Sequence, residues 1–374
     1  MFVLLVAVLL STADLALGDA ALTKLMLQAS KLAQKSVAGQ NAKCASQCPF
    51  LLRQAHVKQH GCLVGTFNVS PTLPSSLAVG LFNTTLQGRT SFPALVRFSS
   101  GNGNFFVPGY PIKPDDSPDA RGMGVKLFGV SGQKALEPGA ETSDFIAVTA
   151  EKLFLDAGDV LNLALDLVQT AEKNSSLSFY AFLVQHPVLA ARLVSFALTG
   201  KVDQLQTSDF FTIAPLSIGA TPVRYRFQAC AGQSLANPDS VSDDFLRRNL
   251  EEFFSVQNLT ACWTVSAQLY VDETSTPLNE LHSVWNVPYV SIAKLVVGPQ
   301  SFGSVVQEAM CSSVAYHPFN TPLENAPPAA SDVQFIRNGV YASEQVLRRS
   351  LVGLTANDWN STTLADYVRA APNK

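Results

Sequence analysis

The chain has 374 residues, 47% of them hydrophobic and only 15% charged. That is enough apolar material for a large core and too little charge for a disordered chain. A formal net charge of −3, with no Lys/Arg-rich run, argues against electrostatic binding of nucleic acid.

The run Phe2 to Leu10 is continuously hydrophobic but too short to span a bilayer, and Ala16-Leu17-Gly18 supplies the small residues that signal peptidase prefers. Residues 1–18 therefore read as a signal peptide, although its basic start is missing. No later run reaches membrane-spanning length, so the expectation is a soluble protein, secreted or in the lumen of the secretory pathway. Asn-x-Ser/Thr sequons begin at Asn68, Asn83, Asn174, Asn258 and Asn360, as expected of a glycoprotein. Cys44, Cys48, Cys62, Cys230, Cys262 and Cys311 form an even set without a CxxC pair. This favours disulfides over zinc, in fifteen possible pairings.

Leu22, Leu25, Met26, Ala29, Leu32 and Ala33 fall at helical spacing and predict an opening amphipathic helix. Strand signals follow at Cys62 to Val69, Ala94 to Phe98, Gly124 to Phe128, Val223 to Ala229, Trp263 to Val271 and Ser291 to Val297. A helical block is predicted over about 156–201. Another helix is predicted over Ser240 to Phe254, with Ser240 and Asp243 at capping-box-like spacing. Pro318 to Pro328 reads as an extended wrapping segment, followed by a helix from about Ser331 to Leu351. The pattern is α+β, a mostly antiparallel sheet or barrel with helices grouped apart. One domain is expected over 19–350, with a tail at 351–374.

Several short segments could carry chemistry. Arg53-Gln-Ala-His56 stands before Gly61 and the first strand. Val96-Arg97-Phe98-Ser99 ends a strand with a cation and a hydroxyl. Asp119-Ala-Arg121-Gly122 is a turn entering a strand. Arg337 and Tyr341, four residues apart, lie on one helical face together with Arg348. Taken singly, each is an ordinary surface or turn element.

In this order, the segments resemble the haem catalase superfamily over roughly Arg53 to Ser350, in a compact branch, with Ala293 to Val297 and Ala315-Tyr-His-Pro-Phe-Asn320 as further points of likeness. The resemblance implies a catalase-like antiparallel β-barrel with a helical section, holding haem b. It implies Tyr341 as the tyrosinate ligand of the iron, and Arg337 as the cation that favours the phenolate. It implies Arg53, Arg97 and Arg348 as partners of the two propionates, His56 as the distal acid-base residue, and Ser99 as the group that orients it. The implied enzyme is a haem-dependent oxidoreductase that reduces or dismutates hydrogen peroxide or an organic hydroperoxide. The resemblance also leaves open a fatty-acid hydroperoxide-rearranging enzyme of allene-oxide-synthase type, and a non-catalytic haem-binding protein. Without the family's arms, a monomer or homodimer is expected.

Three departures stand out. Where the family carries a distal asparagine, Glu141 or Thr142 takes its place. Ser343-Glu344 replaces the Asp-Thr that follows the family's tyrosine, although Arg348 survives. An apparent one-residue insertion falls at Gln59-His60. It leaves His60 as the alternative distal residue, with the spacing from Arg53 favouring His56.

Overall fold

The structure is a computed structural model that describes Arg53 and residues 56–101, 114–117, 119–152, 201–352 and 361–371, together with helical residues between 23 and 38 and between 184 and 191. Its centre is an antiparallel sheet of nine strands: β1 (Lys58–Val69), β2 (Ser91–Ser100), β3 (Arg121–Phe128), β4 (Thr142–Val148), β5 (Phe210–Phe211), β6 (Leu216–Ile218), β7 (Thr221–Ala229), β8 (Ala261–Leu269) and β9 (Tyr289–Val297). They run in the order β5-β4-β3-β2-β1-β9-β8-β7-β6, and β5 also pairs with β7. That pairing closes eight strands into a barrel and leaves β6 on its rim.

Strand period explains which side each residue takes. Leu63, Phe67 and Val69 of β1, Phe92 to Phe98 at every second position of β2, and Met123, Val125 and Leu127 of β3 belong to one core with Trp263, Val265, Leu295 and Val297. An eight-stranded barrel is just wide enough to be filled this way, so the interior is packed with side chains. The alternate set faces outward. Cys62, Leu95 and Phe128 form a second cluster with Cys311, Val314, Tyr316, Leu364 and Tyr367.

Four helices of seven or more residues complete the described part: α1 (Phe245–Glu251), α2 (Val305–Ser313), α3 (Asp332–Val352) and α4 (Ser361–Arg369). α3 agrees with the predicted helix to within a residue at each end. α1 starts later than predicted, because Asp239 accepts bonds from the Val241 and Ser242 amides and holds the chain in a turn. The expected capping arrangement at Ser240 and Asp243 is absent, and Asp244 is the N-cap, without a side-chain cap bond. The Pro-rich segment does wrap the barrel, with Lys134 bridging to Pro322. Within the expected tail, α4 packs on the barrel, its Tyr367 buried with the hydroxyl donating to Cys62 O at 2.6 Å. The signal peptide, Cys44, Cys48, most of the 156–201 block, Asn174 and Asn360 lie outside the described residues.

The insertion at Gln59-His60 is a β-bulge. Gln59 pairs with Ser99 and Gly61 with Phe98, so His60 is the extra residue. Disulfides join Cys62 to Cys311 and Cys230 to Cys262, the covalent chemistry of an oxidising compartment. No helix among the described residues is long and apolar enough to cross a membrane.

Cys62–Cys311 ties β1 to α2 across 249 residues of sequence. Replacing both cysteines by serine is expected to cost about 2–5 kcal/mol of stability, read from denaturant melts under non-reducing conditions. An unchanged midpoint would show that the outer helices are held by packing alone.

Candidate functional site: an arginine-rich cleft

A cleft lies between the outer face of β2–β3–β4 and helix α3. Out to its open mouth, and counting the solvent-open part, it takes in about 630 Å³. The strand register builds its floor: Arg97 pairs with Gly124, Ser99 with Gly122, and Gly124 with Ile146. All five are outward-facing positions. α3 supplies Tyr341, Glu344, Gln345 and Arg348 from the opposite side, and Arg53, His56 and Tyr316 line the remainder.

The two floor glycines are required by close approach. A Cβ at Gly122 would collide with His56 Nδ1 and stand 3.0 Å from Ser99 Oγ; one at Gly124 would stand 3.1 Å from the Tyr316 ring. Strand glycines commonly mark such sites. The His56 imidazole therefore approaches the barrel wall at Gly122 with its Nδ1 and Cε1 atoms, beside the Ser99 hydroxyl. Its backbone is held in the left-handed region at φ 56°, an uncommon conformation for a non-glycine residue. Two bonds fix it: His56 N donates to Gly101 O at 3.0 Å, and Arg97 Nη2 donates to His56 O at 2.9 Å. Burial pushes the His56 pKa well below its ordinary value, and the nearby Arg97 and Arg53 push the same way. The ring is a neutral base at physiological pH, and its buried Nδ1 has no hydrogen-bond partner.

Arg53, Arg97 and Arg348 converge on the same cleft. They are held largely by carbonyls: Arg53 donates to Val314 O, Arg348 to Ser312 O, and Arg97 to His56 O and, at 3.3 Å, to Gln59 Oε1. Burial lowers the pKa of all three, that of Arg348 to about 9, and Arg53 and Arg348 disfavour each other's charge. The Nε atoms of Arg53 and Arg348 are buried without partners. Desolvated cations with unpartnered donors are chemically suited to an anion, because an isolated buried charge is costly. Among the described residues, Glu344 is the one acidic side chain in the cleft lining.

Arg337 stands behind Tyr341. Its Nη2 donates to the phenol oxygen at 3.4 Å, its guanidinium carbon lies 5.4 Å from the ring centroid, and Nη1 donates to Gln334 Oε1 at 3.1 Å. It lines a neighbouring apolar pocket with Ile146, Val148 and Phe211. His317 packs edge-on against Tyr341, with centroids 5.7 Å apart, and burial lowers its pKa to about 3. The segment Tyr316–Asn320 is clamped to the barrel by a buried pair: Lys126 Nζ contacts Asp144 Oδ1 at 2.6 Å, and Asp144 Oδ2 accepts from His317 N at 2.9 Å.

Of the sequence candidates, Arg53, His56, Arg97, Ser99, Tyr341 and Arg348 share this cleft, with Arg337 against the phenol. His60 is elsewhere, its Nε2 bonded to Ser100 Oγ at 2.7 Å and lying 3.9 Å from Asp115. Glu141 is exposed, and the Thr142 hydroxyl accepts from Asn320 Nδ2 at 2.9 Å. Neither lines the cleft; β4 contributes Ile146 and Ala147 there instead. Sequence reasoning gave no site role to Tyr316, Gly124 or Gln345. Gly122-Met-Gly124 inside a strand pattern was the available signal, since it marks a wall something must approach closely. No protein-family profile and no curated protein matches the chain.

His56, His60 and His317 all have folded pKa values below the unfolded value of about 6.5. Above that pH neither state is protonated and the full stability is present. As pH falls below it, the unfolded chain takes up protons that the folded one refuses, and stability is lost. Melting temperatures from pH 7 to 4 should therefore fall, and His317→Gln should fall less steeply than wild type. Parallel curves would mean that His317 is protonated without cost in the folded protein.

Proposed function

We propose that the chain is a secreted, catalase-like haem protein that reduces peroxides. The observation that carries this reading is the cleft itself: three guanidiniums, two of them with an unpartnered buried Nε, a phenol backed by a guanidinium, and a neutral imidazole, all around one cavity. This donor set suits haem b. Among the described residues no three His, Cys, Asp or Glu side chains are grouped to hold a bare metal ion. A lone phenolate suits an iron already held by a macrocycle. The two propionates answer the unspent donors of the arginines, and Met123, Ile146 and Ala147 offer apolar contact to a ring.

Haem, when bound, supplies the electrons that break the O–O bond. The chain's residues do the rest. Tyr341 Oη loses its proton to serve as ligand, and Arg337 stabilises the resulting anion by charge and hydrogen bond. Arg53, Arg97 and Arg348 would hold the propionates. His56, neutral and desolvated, would accept a proton from a bound peroxide and hand it to the departing oxygen, which would leave as water or an alcohol. Gly122 is the surface against which that ring is positioned. Because β4 places Ile146 and Ala147 rather than an amide in the cleft, reduction with an outside electron donor is favoured over dismutation of hydrogen peroxide.

The test is a hemin titration of the secreted protein followed by visible spectroscopy, before and after peroxide. A high-spin ferric tyrosinate spectrum is expected, and Tyr341→Phe should abolish it. His56→Ala should keep the haem and slow the reaction with peroxide by about 10²–10⁴-fold. Gly122→Ala should do the same by displacing the imidazole. Wild-type protein that is folded yet binds no hemin would overturn the proposal, and Tyr341→Phe with an unchanged spectrum would overturn the ligand assignment.

A further inference from the structure

Glu344 answers no need of peroxide chemistry, yet it is placed among the cleft's cations. It stands on α3 one turn after Tyr341 and one turn before Arg348, it is only 8% exposed, and it lines the cleft together with Arg53, Arg97 and Arg348. A carboxylate is expensive to bury unless cations repay it, and here they do. Glu344 favours the charged forms of Arg53 and Arg348, opposing their desolvation. The other carboxylates near the site are engaged elsewhere. Glu308 pairs with Arg247 at 3.0 Å, and Asp144 with Lys126 at 2.6 Å. Three guanidiniums and one carboxylate leave the cleft lining with two positive charges to be met by whatever enters.

We propose that Glu344 is the internal counter-ion of the cleft, holding Arg53 and Arg348 together when the cleft is empty and setting its residual charge to match a ligand with two carboxylates. The assignment rests on the haem reading for the identity of that ligand, but not for the role of Glu344 in the empty protein. It makes Glu344 a positioning and specificity residue with two opposed effects. In the empty cleft the carboxylate stabilises, because it offsets two desolvated cations. In the filled cleft it competes with the incoming carboxylates for the same donors. A merely structural glutamate would have only the first effect.

The experiment compares wild type, Glu344→Gln and Glu344→Asp, porphyrin-free and titrated with hemin or with hemin dimethyl ester, which has the same ring and no carboxylates. Porphyrin-free Glu344→Gln should melt below wild type, with Glu344→Asp restoring part of the loss. The same Gln variant should bind hemin about tenfold tighter than wild type does, through removal of one nearby like charge. Binding of the dimethyl ester should stay within twofold. A hemin-to-ester affinity ratio unchanged by Glu344→Gln would overturn the specificity role, and a Gln variant that melts at or above wild type would overturn the counter-ion role. If wild type binds neither porphyrin, the haem reading falls by itself. The counter-ion role is then judged by the melt, where inorganic phosphate should raise Glu344→Gln more than wild type; equal shifts would overturn it.

Discussion

The constraint on which the rest of this structure depends is the burial of Arg53, Arg97 and Arg348 against one barrel face. A desolvated guanidinium is costly unless most of its five donors are taken up. Much of the surrounding architecture does this. The carbonyls of Ser312, in the last turn of α2, and of Val314, just after it, receive Arg348 and Arg53. α2 is in turn pinned to β1 by Cys62–Cys311, and α4 is bonded to both, through Tyr367 to Cys62 and through Gln307 to Tyr367 O. The disulfide and helix α4 thus fix the carbonyls that hold two of the cleft's arginines. The carbonyl of His56 receives Arg97, so the same demand ties the imidazole into place.

The position of the site follows from the barrel's arithmetic. Eight strands leave an interior that side chains fill, and they do so with Phe67, Phe98, Trp263 and their neighbours. A ligand the size of a cofactor has to lie outside. The outer face of β2–β3–β4 is made suitable by sequence alternation: each inward Val or Phe is followed by an outward residue, and in the cleft these are Arg97, Ser99, Gly122, Gly124 and Ile146. A one-residue slip would turn them into the core. The bulge at His60 lets β1 absorb an extra residue without such a slip, sending His60 to Ser100 and leaving His56 at the cleft.

This alternation is why so much was legible. All nine strands place apolar residues in the barrel core, six of them in runs that the sequence pattern shows, and α3 carries its candidate site residues at helical spacing, so both could be read directly. Strand β4 was hidden because Thr142-Ser-Asp-Phe places polar residues that bind the wrapping segment, with Asp144 under Lys126 and Thr142 under Asn320. Its alternation is satisfied by long-range partners that no local pattern reveals. The helix read from Ser240 began late because Asp239 claimed the nearby amides for a turn. α4 looked like a tail because its burial depends on Leu364 and Tyr367 meeting a cluster assembled from β1, β2, β3 and α2. Among the site residues, the cations and the phenol were legible as a set. The convergence of Glu344 and Tyr316 on them was not, since it depends on how α3 lies across the strands.

The anion site and the base are not independent. Burial contributes most to keeping His56 neutral, and Arg97 and Arg53 add to it. An anion bound by those arginines cancels part of their field at the imidazole while excluding still more water from it. The electrostatic contribution weakens and the desolvation contribution grows. A base held neutral by cations alone would become protonated when its cleft filled. One held neutral chiefly by burial stays free to accept a proton in the filled state, when a substrate needs it. The close approach of the ring to Gly122, where a Cβ would collide with it, contributes to that burial. The glycine in the strand therefore sets the chemistry of the histidine as surely as the arginines do.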